Sequence, residues 1–183
     1  MIGGVLGDAC LHPNWSKTNY TLKITRSAKQ KEYIDWQYEQ LKPFVLTAPR
    51  WYERTSSYTM RTISHSELTL LYREFYPEGK KKLPRKIKEY LMDPLIIATW
   101  FMDDGNVIRS KGKLRGYHLN TQSFTEVENR MIVYALRQNY DINAHVERNH
   151  GYYRIGMYSR EARDMFRELI QKHMIPSMRY KLG

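Results

Sequence analysis

From Leu95 to Met102 the chain reads LIIATWFM, apolar on every side of a helix apart from Thr99. A helix that is apolar all round has to be buried. This one falls far short of the ~20 residues that cross a membrane. Asp93 can cap its start, Pro94 fits the first helical position, and Gly105 is expected to end it in a left-handed conformation. Asp103 and Asp104 then stand in the last turn, where the helix dipole is negative and carboxylates are disfavoured. Residues 1–10, MIGGVLGDAC, repeat the design: a short apolar helix, an acid, a small residue. Aligning Asp8 with Asp104 gives an offset of 96 (104 − 8). Other landmarks recur near it: Ser27 with Ser123, Tyr58 with Tyr153, and Ser64 with Ser159. The chain is therefore read as two copies of one unit.

The polar–apolar alternation fills in the rest. Gly3, Gly4 and Gly7 are poor helix formers, and their presence implies close approach of the first helix to a partner helix. Tyr20, Leu22 and Ile24 alternate with Thr21, Lys23 and Thr25, which predicts a strand with one buried and one wet face. Ser27 with Gln30 is expected to form a capping box ahead of a helix striped by Ile34, Tyr38 and Leu41 and stopped at Pro43. A second hairpin places Arg50, Tyr52 and Arg54 on one face, turns at Thr55-Ser56-Ser57 and returns from Tyr58 to Ile63. Ser64 with Glu67 is expected to cap a helix carrying Leu68, Leu71 and Phe75. In the second copy Asn106–Arg109 and Tyr117–Gln122 read as strands, with His118, Asn120 and Gln122 on one face. Thr125 with Glu128 caps a helix expected to turn Val127, Met131 and Tyr134 inward. Two further strands, turned at Asn149-His150-Gly151, and a helix from about Arg160 to His173 complete it.

The fold class expected is α+β: two pseudo-symmetric αββαββα repeats, each an antiparallel sheet with helices on one side, with two central helices packed at a pseudo-twofold and a long open basic face. Residues 1–79 make the N-terminal repeat, 80–92 a basic linker, and 93–183 the C-terminal repeat. Two equivalent helices packed side by side would bring Asp8 and Asp104 together.

Composition narrows the partner. The formal net charge is +11 and aromatics reach 13%, including 15 tyrosines. A basic, aromatic-rich folded chain points to nucleic acid ahead of an acidic membrane surface. The single cysteine, Cys10, excludes a disulfide framework and a zinc-finger pattern and is read as a small, partly buried residue. The N-terminal apolar run is short and follows no basic region, so no signal peptide is expected, and the protein is placed inside the cell or an organelle. Two acids at buried helix ends conflict with local rules unless a hard divalent cation resolves them. His118, His145 and His150 lack metal-ligand spacing and are read as facing DNA or solvent.

The helix ends IGGVLGDA and ATWFMDDG resemble the two signature helices of the LAGLIDADG homing endonucleases, in particular the single-chain, two-repeat branch. Asn120-Thr121-Gln122-Ser123-Phe124-Thr125 and Met178-Arg179-Tyr180-Lys181-Leu182 also resemble that branch. The resemblance covers essentially the whole chain. It implies a DNA saddle and metal-dependent cleavage of both strands of a long asymmetric site, leaving short 3′ overhangs, by an intron-encoded monomer. It implies Mg2+ at Asp8 and Asp104, with Mn2+ substituting and Ca2+ binding without efficient cleavage. Asp103 falls at a usually structural position. The family's supporting lysines map to Lys81 and Lys181, with Lys80 and Lys82 open as alternatives to the first. Two departures are Gly4, where a larger apolar residue is commoner, and a chain that begins at its motif. They are expected to loosen helix packing and to remove some flanking DNA contacts.

The polar strand faces then supply the candidates for DNA: Lys23, Arg50, Tyr52, Arg54, Arg61, Arg109, Arg115, His118, Asn120, Gln122, His145, Glu147 and Arg154. Arginine can pair with guanine, and Asn or Gln with adenine; any one of these residues can instead contact phosphate. Two other readings stand beside the endonuclease: a maturase that binds group I intron RNA without cutting DNA, and a DNA-binding relative without catalysis. An organelle, mitochondrion or chloroplast, is the expected setting, with a bacterial or archaeal cytoplasm as the other.

Overall fold

The computed structural model describes residues 1–183. The first unit runs α1 (Ile2–Leu6), β1 (Cys10–Pro13), β2 (Tyr20–Ser27), α2 (Lys31–Leu41), β3 (Arg50–Tyr52), β4 (Ser57–Arg61) and α3 (Ser66–Phe75). A one-turn helix, α4 (Ile87–Tyr90), lies in the connection. The second unit runs α5 (Pro94–Asp104), β5 (Gly105–Ser110), β6 (Lys113–Leu119), α6 (Glu126–Tyr140), β7 (His145–Asn149), β8 (Tyr152–Met157) and α7 (Arg160–Gln171), followed by a 3-10 segment, Pro176–Leu182. Each unit folds its strands into a four-stranded antiparallel sheet of the same spatial order, β1-β2-β4-β3 and β5-β6-β8-β7. The repeated αββαββα order read from the sequence is the order observed. α4 escaped that reading because four residues carry no periodicity. No helix is long and apolar enough to cross a membrane.

The two sheets flank α1 and α5, which pack against each other at the centre. α5 starts as its sequence requires, with the Leu95 N–H donating to Asp93 Oδ1 at 2.9 Å and Pro94 next in line. Ile97, Ala98, Trp100, Phe101 and Met102 are buried. A Cβ on Gly3 would lie 2.5 Å from the Ile96 carbonyl oxygen, and one on Gly7 would lie 2.6 Å from the Asp103 side chain. These two glycines let α1 approach α5; Gly4 meets only Ala9.

Several local expectations are corrected. Gly105 is extended (φ −83°, ψ 152°) and begins β5 directly; a side chain there would collide with the Phe101 ring. Ser27 forms no capping box: it precedes a 3-10 turn, Ala28–Gln30, and makes no side-chain cap bond. α3 is capped by His65 rather than Ser64, the Glu67 N–H donating to His65 Nδ1 at 3.2 Å. In the second unit Ser159 accepts from the Ala162 N–H at 3.1 Å, and Thr125 with Glu128 makes the expected capping box. α6 is rotated from the expected face: Ile132, Ala135 and Leu136 are buried, and Val127 and Tyr134 are exposed. The reason is Asn129, fully buried and donating to the Phe124 and Thr125 carbonyls, a polar residue that masks the true stripe. Cys10 is exposed, not partly buried.

Candidate active site and strand faces

Asp8 lies two residues beyond α1, and Asp104 is the last residue of α5. Between them sits Asp103, whose side chain is 0% exposed against 50% for Asp8. Three donors converge on Asp103: the Asp8 N–H at 3.1 Å, the Tyr33 hydroxyl at 2.7 Å and Arg26 Nη2 at 2.5 Å. Arg26 Nη1 reaches Asp8 Oδ2 at 2.6 Å and Nε reaches Gln37 Oε1 at 3.1 Å, while the guanidinium lies 4.6 Å from the Tyr33 ring centre. One buried arginine thus ties an acid of the first unit to an acid of the second. Burial raises the Asp103 carboxyl above the usual carboxylate range; Arg26 and Tyr33 oppose that shift. Burial works against the Arg26 charge too, but the two acids and Tyr33 outweigh it and hold the guanidinium above its ordinary value.

Asp104 has no such partner. Its one side-chain bond is from Trp100 Nε1, at 3.3 Å. Burial, with Asp8 and Asp103 nearby, pushes its carboxyl up to about 7.

The two lysines implied by the resemblance occupy matching places. Lys81 Nζ donates to the Leu6 and Gly7 carbonyls, both at 2.9 Å. Lys181 Nζ donates to the Met102 and Asp103 carbonyls at 2.6 and 3.0 Å. The accepting carbonyls differ by 96 in each case (102 − 6 and 103 − 7). Each lysine satisfies the orphan carbonyls at a helix end and offsets its negative dipole. Burial lowers both ammonium groups; the neighbouring acids resist. Lys80 and Lys82 do not reach the helix ends; Lys82 pairs with Glu78 at 2.8 Å.

No three His, Cys, Asp or Glu side chains form a ready cation cage. The donor set is nevertheless hard oxygen. Asp8 keeps one carboxylate oxygen free of protein partners, and Asp104 carries charge that no cation of the chain contacts directly. Such a pair fits a hard divalent ion that retains several non-protein ligands.

Arg26, Tyr33 and Gln37 were not among the residues singled out from the sequence. For Arg26 the signal was there. The alternation Tyr20, Leu22, Ile24 continues to residue 26, which puts an arginine, 2% exposed, on the apolar face. A charge so placed must be paired.

The strand faces divide the remaining candidates. On the first sheet Lys23 lies opposite Arg61 and Arg50 opposite Thr59, and these line one open groove with Tyr52. His12 belongs beside them, its pKa lowered by burial and by Lys23 and Arg61. Arg54 does not share the strand face; it falls in a 3-10 turn, Glu53–Thr55, because β3 stops at Tyr52. On the second sheet Arg115 is the extra residue of a bulge, skipped by the pairing of Ile108 with Gly116 and Arg109 with Leu114. Arg109 Nη1 donates back to the Gly112 carbonyl at 3.3 Å. β6 ends at Leu119, so Asn120 and Gln122 leave the face expected for them. Instead the Asn120 N–H donates to the Asp104 carbonyl at 3.0 Å and its amide donates to Asn106 Oδ1 at 3.0 Å. His145 is exposed, whereas His118 is buried in a cluster with Glu147, Arg154 and Tyr158.

Comparison with known proteins places this geometry. The model of the LAGLIDADG DNA endonuclease family matches residues 1–165. Probable intron-encoded endonuclease 1 of Wickerhamomyces canadensis is 26% identical over 192 aligned residues, which take in 100% of this chain and 81% of that protein. Cytochrome b mRNA maturase bI2 of Debaryomyces hansenii is 31% identical over 124 residues, 67% of this chain and 45% of that protein. The fold is similar to that of the homing endonuclease I-WcaI bound to its DNA recognition sequence, with a TM-score of 0.89 at 22% identity, over 100% of this chain and 83% of that one.

Proposed function

The chain belongs to the LAGLIDADG DNA endonuclease family, and on that premise we propose that it is an intron-encoded homing endonuclease of the single-chain, two-repeat branch. It acts as a monomer, cutting both strands of a long asymmetric duplex and leaving short 3′ overhangs. Residues 1–79 and 93–183 serve as the two repeats and 80–92 as their basic connection. The observation that carries this reading is the matched pair of helix ends, each with an acid and with a half-buried lysine on its last carbonyls.

In this reading Asp8 and Asp104 are the metal ligands and magnesium the ion, with manganese able to substitute and calcium binding without efficient cleavage. Bound divalent ions would relieve charge on the phosphoryl oxygens, activate a water and assist the leaving oxygen. The chain's own part is positional. Arg26, Tyr33 and the Asp8 N–H fix Asp103, which sets the end of α5 against that of α1. Lys81 and Lys181 stand where negative charge builds up on a phosphate held between the acids. The strand faces bind the duplex; lysines and most arginines supply salt-dependent affinity.

The test is cleavage of a randomised duplex library with magnesium, beside EDTA and the variants Asp8→Asn and Asp104→Asn. Metal-dependent double-strand cuts at one selected site, lost or reduced to nicking in the variants, are expected. Folded protein that binds members of the library and cuts none would overturn the reading. The maturase relative favours a second function, binding of group I intron RNA. Retention of both acids favours the endonuclease, since RNA binding alone does not call for them. The likeness to a cytochrome b mRNA maturase supports an organellar setting, and we place this chain in an organelle.

A further inference from the structure

The wet face of the second sheet holds a cluster that cleavage chemistry does not use. Strand alternation sets His118, Glu147 and Arg154 on this face, with Glu147 directly opposite Arg154. Tyr158, one residue past β8, lays its ring across Gly116 and Gly156; a Cβ on either would lie 2.9 or 2.5 Å from that ring. The two glycines are the floor on which it rests. From there the Tyr158 hydroxyl donates to Glu147 Oε2 and sits 2.8 Å from His118 Nε2. Glu147 Oε1 accepts from Arg154 Nε and lies 3.0 Å from His118 Nε2. Since the Tyr158 O–H donates to Glu147, His118 Nε2 faces two acceptors, Tyr158 Oη and Glu147 Oε1, and carries the proton it donates within the cluster.

The outcome is a carboxylate whose two oxygens are both engaged by neighbours, and an arginine held only at Nε. Arg154 Nη1 and Nη2 have no partner in the protein, and its side chain remains 24% exposed. An arginine fixed at Nε presents its two terminal nitrogens end on, the arrangement that pairs with O6 and N7 of guanine in the major groove. Fixing the side chain before DNA arrives removes rotamer entropy that a free arginine loses on binding. On the first sheet Lys23, Arg50 and Arg61 have no carboxylate holding them in this way.

We propose that Arg154 reads a single guanine in the half of the target that faces the second unit, and that Glu147, Tyr158 and His118 are positioning residues for it rather than base contacts. This rests on the DNA-binding reading above. The test is selection of bound sequences from a randomised duplex library in EDTA, so that cleavage does not intervene, using wild type, Arg154→Ala, Glu147→Gln and Tyr158→Phe. Wild type is expected to prefer guanine at one position by about 5- to 150-fold, the discrimination of one bidentate pair. Arg154→Ala should lose that preference alone. Glu147→Gln and Tyr158→Phe should weaken it at the same position and leave the others intact. Tyr158→Phe keeps the ring on its glycines and removes only the hydroxyl, so it tests the network even where the Glu147 variant does not fold. A preference that survives Arg154→Ala, or a Glu147 effect at a different position, overturns the proposal while the DNA-binding reading stands. Uniform weakening by Arg154→Ala makes it a phosphate contact and overturns the proposal too. Wild-type protein that enriches no sequence overturns both.

Discussion

Asp8 and Asp104 end matching helices 96 residues apart (104 − 8), yet their surroundings differ in kind. Asp8 is gripped by a buried guanidinium at 2.6 Å; Asp104 has one indole N–H at 3.3 Å and a carboxyl raised to about 7. By strand register the residue of the second unit that matches Arg26 is Thr121, buried two positions past Leu119 as Arg26 is two past Ile24, and it is uncharged. The strand faces diverge as well. The first sheet offers cations without an acid among them, and the second sheet binds its arginine to Glu147. One topology therefore carries two electrostatic designs. Duplication preserves the backbone plan because packing enforces it, whereas charges are free to diverge wherever a new partner satisfies them.

Four measurements break or sharpen this contrast. The largest effect is expected at Arg26. Arg26→Ala strands a buried Asp103 carboxylate and should cost about 3–5 kcal/mol of stability in denaturant unfolding. Thr121→Ala, at the matching position, should cost only about 1 kcal/mol, that of one buried neutral hydrogen bond; equal costs would dissolve the asymmetry. Next come the acids themselves. Asp8→Asn and Asp104→Asn should each lower double-strand cleavage by more than the ~10–100-fold that loss of an outer-shell partner costs at a metal site, with nicked and linear product resolved on a gel.

The third is pH. Asp104 is raised in the folded state, so without metal the fold binds its proton where the unfolded chain has released it. Stability on this group's account is full below about pH 4 and falls as pH rises to about 7. Thermal melts in EDTA should show Asp104→Asn gaining on wild type over that window. Divalent-ion affinity should run the opposite way, weakening below about pH 7 as the carboxyl protonates. The smallest effect is on salt. Lys23→Ala and Arg61→Ala should each reduce the slope of log affinity against log salt by about one.

Much of this was legible in the residues. Periodicity gave the order of elements and the repeat, because α5 is apolar all round and β2 alternates strictly. The two acids stood out because they violate the helix dipole. What escaped did so for physical reasons. Arg26 showed in the alternation as a charge on an apolar face, but its partner Asp103 lies 77 residues away, and only tertiary packing shows what pairs it. The inward face of α6 was misassigned because a buried asparagine looks like a surface residue. Asn120 and Gln122 kept the strand's alternation past its end, where the chain had already turned to the helix terminus. Glu147 looked like a free acceptor for a base because nothing in sequence shows that Tyr158 folds over two glycines to occupy it.

The Arg26–Asp103 pair also constrains ancestry and engineering. The residue in the first unit that corresponds to Asp103 is Gly7 (103 − 7 = 96). A symmetric dimer of two first units would aim each Arg26 at a glycine and leave each guanidinium with Asp8 alone where the present chain supplies two acids. A dimer of two second units would have the complementary fault, a buried aspartate with a threonine at the place of the arginine. Neither half can return to self-pairing by being cut from the other. Chimeras that exchange halves with a relative need Arg26, Tyr33 and Gln37 to travel with a second half that keeps Asp103.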